Sequence, residues 1–89
     1  MEFEWDPAKN AANRRARGLD FAAAIPAFDD SRRRIWVDDR EDYGEVRYNM
    51  LAKCGARVVH VTFTLRAGVV RIISFRKANE REQLRYAKV

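Results

Sequence analysis

The first part of the chain is predicted to be mainly helical. Before the helices, the brief alternating stretch from Phe3 to Trp5 predicts a short strand. Asp6 and Pro7 are typical of an N-cap and a first helical position, and the helix is predicted to run to about Arg17. Gly18 then supplies the left-handed residue on which helices commonly end.

A second helix is predicted from Asp20, which serves as its N-cap. Its apolar residues follow the spacing i, i+3, i+4, i+7 that forms one face of a helix, namely Phe21, Ala24, Ile25 and Phe28. Pro26 lies inside this segment and removes a backbone hydrogen bond to Ala22, because proline has no amide proton. The helix is therefore expected to be kinked or shortened.

The spacing then becomes alternating, which predicts strands. The four predicted strands are Arg34–Val37, roughly Glu45–Lys53, Arg57–Arg66 and Val69–Arg76. Residues Asp38 to Gly44 are predicted to form an acidic, exposed loop between the first two. The connections Cys54 to Ala56 and Ala67 to Gly68 are short enough for hairpin turns.

The last helix is indicated by Asn79 to Glu82, which has the form of a capping box, and it is predicted to end at about Lys88. The order of elements is then β-α-α-β-β-β-β-α. Sequential strands with short connections predict an antiparallel sheet with helices on one face, an α+β fold in a single domain over residues 1–89. We expect the other face to be open to solvent and to carry the functional site.

Cysteine usage and hydropathy limit the class of protein. Cys54 is the only cysteine, so no internal disulfide can form, which favours a reducing cytoplasm. Met1 to Asp6 carries two glutamates and no apolar run, unlike a secretory signal. The longest apolar region, Val58 to Phe63, falls far short of the ~20 apolar residues of a membrane span. We expect a cytoplasmic protein with no membrane partner.

The charge of the chain is distributed unevenly. Residues 1–45 hold eight Lys and Arg against eleven acidic residues, a net charge of −3, whereas residues 46–89 hold ten against two, a net charge of +8. Fourteen of the eighteen cations are arginine, whose planar guanidinium binds phosphate through two parallel hydrogen bonds. The second half of the chain is therefore expected to bind a polyanion, and RNA is the favoured one.

Particular residues, beyond the general pattern, are similar to those of the BrnT family of toxins from bacterial toxin–antitoxin pairs. The matching positions, which span nearly the whole chain, are Trp5, Asp6, Lys9, Asn13, Phe21, Ala24, Phe28, Asp30, Gly44, Glu45, Arg47, Phe63, Thr64, Arg66, Arg71 to Ser74, Arg76 to Ala78, Glu82 and Tyr86. The resemblance implies a RelE-like ribonuclease fold and an endoribonuclease that needs no metal or cofactor and inhibits translation and growth. It also implies a hetero-oligomer with a DNA-binding antitoxin that neutralises the toxin.

Three positions depart from the family pattern. The family usually has Lys-His before the glycine that ends the first helix, where this chain has Ala16 and Arg17. Pro26 is likewise atypical. The replaced histidine motivates an alternative function, a non-catalytic nucleic-acid-binding or regulatory module of the same fold.

The candidates for binding the scissile phosphate are Arg47, Arg71 and Arg76, on adjacent predicted strands. Cleavage of RNA without a metal needs a base for the 2′-hydroxyl, a charge to stabilise the phosphorane and an acid for the leaving oxygen. Strand alternation places Arg71 and Arg76 on opposite faces unless a bulge intervenes. Arg76 is the strongest candidate, because it ends its strand where the sheet meets the last helix.

Several side chains could transfer the proton. Glu45 or Lys9 could act as the base with a shifted pKa, and Tyr86 could donate a proton or stack on a nucleobase. The alternative for Lys9 is a surface position on the first helix, and the alternative for Tyr86 is packing of its ring on the sheet. His60, the sole histidine, lies between two valines, and a structural role is favoured for it over a catalytic one.

Neither a metal nor a cofactor is expected. The acidic loop, Asp38 to Asp42, lacks the regular ligand spacing and the glycine of a calcium-binding loop. Cys54 has no histidine beside it in the sequence, so we do not expect a nucleophilic role.

Overall fold

The computed structural model describes residues 1–88, which form five strands, two α-helices and one 3₁₀ helix. In chain order they are β1 (Phe3–Trp5), α1 (Pro7–Arg17), the 3₁₀ helix (Phe21–Asp29), β2 (Arg34–Asp38), β3 (Arg47–Cys54), β4 (Arg57–Arg66), β5 (Val69–Lys77) and α2 (Glu80–Ala87). The fold is α+β, as the sequence predicted, with a 3₁₀ helix where the sequence predicted a second α-helix.

The strands form one sheet in the order β1-β5-β4-β3-β2. Strands β2 to β5 are antiparallel neighbours, whereas β1 lies parallel to β5, with Phe3 opposite Val70 and Trp5 opposite Ile72. The sheet is therefore mixed, and the prediction of a wholly antiparallel sheet is wrong for β1. The reason is that β1 and β5 are not joined by a hairpin, because the other helices and strands lie between them in the sequence.

Local signals set the ends of the α-helices. Asp6 accepts a hydrogen bond from the Ala8 amide at 2.9 Å, and the Gly18 amide donates to the Arg14 carbonyl at 2.8 Å with Gly18 at φ 69°. In α2, the Glu82 amide donates to the Asn79 side chain at 2.8 Å, and the Asn79 amide donates back to Glu82 at 2.9 Å. The predicted caps and the capping box are confirmed.

The second predicted helix is a 3₁₀ helix. Pro26 lies inside it, and the three-residue turn places Phe21, Ala24 and Ala27 on one line, all of them buried. Phe28 is also buried, but Ile25, which the α-helical spacing placed on the same face, is only half-buried. The tighter winding follows from the missing amide of the proline.

The hydrophobic core lies between the 3₁₀ helix and one side of the sheet, which we call the core face. Its sheet residues are Met50, Ala52, Val59, Val61, Phe63, Val70, Ile72 and Phe75. Phe28 joins the layers, because its ring packs edge-on against Phe3 and against Phe63, each with 5.1 Å between ring centroids. Helix α1 is tied to the same layer through Asn10, whose side-chain oxygen accepts from the Phe21 amide at 2.9 Å.

Helix α2 lies against the opposite side of the sheet, so the prediction that all helices gather on one face is wrong. Glu82 of α2 bonds Arg76, and the Arg85 guanidinium stacks over the Trp36 ring at 4.1 Å. The strand residues in these two contacts, Arg76 and Trp36, alternate with residues that point to the core face, so they point to the opposite side of the sheet. The capping box causes this placement, because it starts α2 directly after β5 and holds Glu82 at the strand end.

A β-bulge in β5 changes which side chains share a face. Thr62 lies opposite Ser74 but Phe63 lies opposite Ile72, so Ile73 is an extra residue in β5. The extra residue reverses the alternation, and Arg71 therefore points to the same side of the sheet as Arg76. Strand alternation without a bulge would have separated these two arginines.

Candidate functional site

The face of the sheet opposite the core, which we call the polar face, carries most of the candidate residues. Its members are Trp36, Asp38, Arg47, Asn49, His60, Thr62, Thr64, Arg71, Ser74 and Arg76. One row crosses four strands in register, with Arg71 opposite Thr64, Thr64 opposite Arg47 and Arg47 opposite Asp38. The structure thus brings Arg47, Arg71 and Arg76 to one face.

A cavity of about 330 Å³ opens on the polar face beneath the start of α2. Its lining residues are Trp36, Arg40, Asn49, His60, Thr62, Ser74, Arg76 and Glu82. A cavity of this volume is within the range of small-molecule binding sites and suits one nucleotide unit. We call it the His60 cavity.

Arg76 is held in a two-point ion pair with Glu82. Its Nη1 and Nη2 atoms donate to Oε1 and Oε2 of Glu82 at 2.7 and 2.9 Å. The Arg76 hydrogen bonds, opposed by desolvation and aided by the Asn79 amide, lower the pKa of Glu82 to about 2. Arg76 therefore faces the cavity as a cation held in place by Glu82, not as a freely solvated charge. Its side chain is 33% exposed.

His60 lies at the floor of the cavity and is only 7% exposed. Its Nδ1 atom is buried without a hydrogen-bond partner among residues 1–88, and its ring packs edge-on to Trp36 at 6.1 Å. Burial lowers the pKa of His60, and the Arg76 guanidinium lowers it further. A buried polar atom without a partner costs about 1–3 kcal/mol, so packing alone is a poor account of this histidine.

A second network supports the cavity from β2 and β3. Asp38 is the last residue of β2, with a side chain only 2% exposed, and Arg40 donates to it from Nε and Nη2 at 2.8 and 2.7 Å. This hydrogen bonding holds the pKa of Asp38 well below its usual range. Beside it, the Thr62 hydroxyl donates to Asn49 at 2.9 Å. Asp38 is thus buried and paired, contrary to the exposed acidic loop that the sequence predicted.

Glu45 lies beyond the cavity, between two arginines. Arg66 Nη2 donates to it at 3.0 Å and Arg47 Nε at 3.4 Å, and the Arg66 hydrogen bond lowers the pKa of Glu45. Arg47 also stacks over the Tyr43 ring at 4.2 Å. A carboxylate stabilised in its charged form is a weak proton acceptor, so this environment does not suit Glu45 as the base.

Arg71 lies near the same end of the polar face as Glu45. Its Nη1 donates to Glu4 of β1 at 2.6 Å, an ion pair that joins the two parallel strands. The bulge at Ile73 brings Arg71 to this face, but Arg71 does not line the His60 cavity. Its guanidinium and that of Arg47 therefore lie along the face, outside the cavity.

The structure places Lys9 and Tyr86 outside the cavity. Lys9 is exposed on α1, which lies with the 3₁₀ helix on the core side of the sheet. The Tyr86 hydroxyl donates to Asp30 at 2.6 Å, and this bond raises the pKa of Tyr86. Tyr86 therefore joins α2 to the segment before β2. Arg17, where the family has histidine, is also on α1 and donates to Asn13 at 2.9 Å.

Six residues that line the cavity were not among the candidates from the sequence: Trp36, Arg40, Asn49, Thr62, Ser74 and Glu82. Trp36 and Asn49 are directly opposite in the β2–β3 register, and Trp36 stands two residues from Asp38 on the same face of β2. The strand pattern could have grouped them if the register had been known. Arg40 gave no signal, because it follows a strand end in a segment that was predicted to be an exposed acidic loop.

Residues 1–88 contain neither a cluster of candidate metal ligands nor a candidate membrane-spanning helix. No group of three or more His, Cys, Asp or Glu side chains in that range is arranged to hold a metal ion. None of the helices there is long and apolar enough to cross a membrane.

A comparison against protein families gives the class of this chain. Residues 5–82 match the model described as the ribonuclease toxin of type II toxin–antitoxin systems. That class has RNA as its target and an antitoxin as its partner. The chain belongs to the BrnT family, and the resemblance inferred from the sequence is confirmed. A search of curated proteins gave no significant match. The family match includes every residue that lines the His60 cavity.

Proposed function

We propose that this member of the BrnT family is a metal-independent endoribonuclease with a RelE-like fold that inhibits translation and growth. The observation that carries the proposal is the polar face itself. It presents three guanidinium groups on one side of the sheet, that of Arg76 at a cavity large enough for a nucleotide and those of Arg47 and Arg71 along the face outside that cavity. Because guanidinium groups bind phosphate oxygens in two-point fashion, this face suits an RNA backbone.

The chemistry that this face supports is attack of the 2′-hydroxyl on the adjacent phosphate. Arg76 is positioned at the cavity rim to stabilise the additional negative charge that develops on the phosphate oxygens. Arg47 and Arg71, further along the face, position the flanking phosphates. A permanently charged guanidinium supplies the electrostatic stabilisation that other nucleases obtain from a divalent cation, which is why we propose metal independence.

The test is cleavage of single-stranded RNA by the purified chain in excess EDTA. We expect cleavage with EDTA present, a loss of at least about 100-fold in Arg76→Ala, and little change in Arg15→Ala. Arg15 is a matched control because it is an exposed arginine on α1, so both variants lose one positive charge. A requirement for magnesium contradicts metal independence, and equal rates in the two variants contradict the role of Arg76.

Stability has to be measured alongside activity for Arg76→Ala. The variant leaves Glu82 half-buried without its main partner, so its thermal midpoint should fall more than that of Arg15→Ala. Assays well below both midpoints separate loss of chemistry from loss of fold.

We also propose that a DNA-binding antitoxin neutralises the toxin in a hetero-oligomer in the cytoplasm. An acidic antitoxin segment that covers the polar face or α2 would block RNA, and opposite charges would speed its association. Stopped-flow association at two salt concentrations tests this, because the on-rate should fall as salt rises. An on-rate that is independent of salt contradicts charge steering.

One observation favours a second candidate function, a non-catalytic nucleic-acid-binding module. Arg76 is already engaged by both oxygens of Glu82, and a phosphate must compete with that carboxylate. Expression in growing cells separates the two functions, because a ribonuclease toxin arrests growth and a binding module does not. Arg76→Ala should relieve the arrest, whereas Arg15→Ala should not.

A further inference from the structure

We infer that His60 is the general base of this site, the group that takes the proton from the attacking 2′-hydroxyl. The inference rests on the proposed ribonuclease function and deepens it. Its first support is position. His60 lies in the middle of β4, directly opposite Arg76 in the register, and both line the same cavity. A phosphate held by Arg76 would therefore lie beside the imidazole.

The second support is that His60 is not used by the fold. A histidine kept for structure normally has a hydrogen bond that fixes its ring and tautomer. In the described part of the chain neither ring nitrogen makes one, although the residue is more than nine-tenths buried. The ring is held by packing, through the edge-on contact with Trp36. Because Nδ1 is fully buried, Nε2 is the nitrogen that can present a lone pair to a substrate, with the proton on Nδ1.

The third support is the charge around the ring. The charged groups that face it are Arg76 from β5, Glu82 from α2, Asp38 from β2 and Arg40 from the following loop. The two carboxylates raise the pKa of His60, but each is paired with one of the two arginines, and burial and Arg76 have the larger effects. Burial and the arginines lower the pKa of His60, so the imidazole is neutral at physiological pH, as a base must be.

The other candidates for the base are engaged elsewhere. Glu45 accepts from Arg66 and Arg47 outside the cavity. Lys9 is exposed on the helix layer across the sheet, and the Tyr86 hydroxyl donates to Asp30. His60 is the titratable side chain that combines access to the cavity with a lone pair that no protein group uses.

The step balances with water as the only co-reactant. His60 accepts the 2′-hydroxyl proton while the 2′-oxygen forms a bond to phosphorus and the bond from phosphorus to the 5′-oxygen breaks. The leaving 5′-oxygen takes a proton from water, and the imidazolium returns its proton to solvent. The products are a 2′,3′-cyclic phosphate and a 5′-hydroxyl end, with charge stabilised throughout by Arg76.

The experiment compares wild type with His60→Ala and His60→Gln on single-stranded RNA. Removal of a general base should lower the rate about 100-fold or more. Binding of a 2′-O-methyl RNA of the same sequence, which cannot be cleaved, should change less than about threefold, because Arg76 and its neighbours remain. Added imidazole should restore part of the His60→Ala rate by filling the space left by the ring. A structural histidine would show no such rescue.

The pH profile provides an independent readout. In wild type the rate should be level near neutral pH and should fall on the acid side, with a midpoint below that of an ordinary histidine, and His60→Ala should lose that fall. Circular dichroism identifies any variant that fails to fold, in which case His60→Gln, closer to histidine in volume, replaces His60→Ala. Wild-type rates in both variants overturn the inference and leave the ribonuclease function standing. A wild-type chain that does not cleave RNA would contradict both the role of His60 and the proposed ribonuclease function.

Discussion

The core face and the polar face are made from alternate residues of the same strands, yet they are stabilised in different ways. Val61 lies on the core face and packs among aliphatic and aromatic side chains. The next residue, Thr62, is also buried, but on the polar face its hydroxyl donates to Asn49. On the core face burial alone suffices, whereas on the polar face the buried polar groups other than His60 each have a hydrogen-bond partner.

This difference separates stability from chemistry. The core face is stabilised by apolar contacts that have no preferred direction, so one apolar side chain can replace another of similar size there. The polar face holds the pairs Asp38–Arg40 and Arg76–Glu82, and beside them His60 without a partner. Substitutions on the core face should therefore act on activity only through folding. Those on the polar face should affect activity in protein that remains folded.

The largest expected effect is on the core face, in Phe28→Ala. The ring packs between Phe3 and Phe63, and its removal leaves a cavity between the 3₁₀ helix and the sheet. We expect a loss of about 3–5 kcal/mol in the free energy of unfolding, measured by urea denaturation. Phe28→Leu should lose much less. Equal losses in the two variants would contradict the packing role of the ring.

A smaller effect is expected on the polar face at acid pH. The pKa of Glu82 is lowered to about 2 from an ordinary value of 4.5, so its pairing stabilises the fold above pH 4.5 and that stabilisation is lost as pH falls towards 2. Glu82→Gln should lower the free energy of unfolding by about 2 kcal/mol at pH 7, allowing for partial solvent screening. The gap from wild type should narrow between pH 4.5 and 2. A gap that stays constant with pH would show that charge is not its cause.

Exchange of the two neighbouring residues Val61 and Thr62 tests the comparison directly, because valine and threonine have nearly the same shape. Val61→Thr buries a hydroxyl on the core face without a hydrogen-bond partner and should lower the free energy of unfolding by about 1–3 kcal/mol. Thr62→Val removes the bond to Asn49 and should cost about 1 kcal/mol. Thermal and urea unfolding measure both. Equal stability of wild type and both variants would mean that the faces do not differ.

The smallest effect is expected for Glu4→Gln. The ion pair between Glu4 and Arg71 is partly exposed, with side chains 40% and 25% exposed, so its loss should cost under about 1 kcal/mol. Because it also frees Arg71 to bind phosphate, the affinity for RNA should stay the same or rise, as measured by fluorescence anisotropy. Weaker RNA binding would indicate that Glu4 is needed to position Arg71.

The sequence predicted the features that depend on neighbouring residues. The caps of α1 at Asp6 and Gly18 and the capping box from Asn79 to Glu82 are local, and all are confirmed. The two-residue turn at Ala67 and Gly68 is also local, and both residues have positive φ, 50° and 80°. Each of these rests on a few adjacent side chains, which is why the sequence alone was enough.

The features that it missed depend on contacts across the chain. The parallel pairing of β1 with β5, the burial of Asp38 and the position of α2 over the polar face all need the strand register. The bulge at Ile73 gives no signal, because an isoleucine suits any strand position. His60 was assigned a structural role from its flanking valines, while its missing partner is visible only from the residues on neighbouring strands.

The pairing of β1 with β5 also has a consequence for synthesis and folding. Residues 3 to 5 are translated well before their partners at 70 to 72. Contacts so distant in sequence are slow to form, and here they cannot form until translation has passed residue 72. Arg76 and Glu82 follow later still. A nascent or truncated chain that ends before these residues therefore lacks both the complete sheet and the cation at the rim of the cavity.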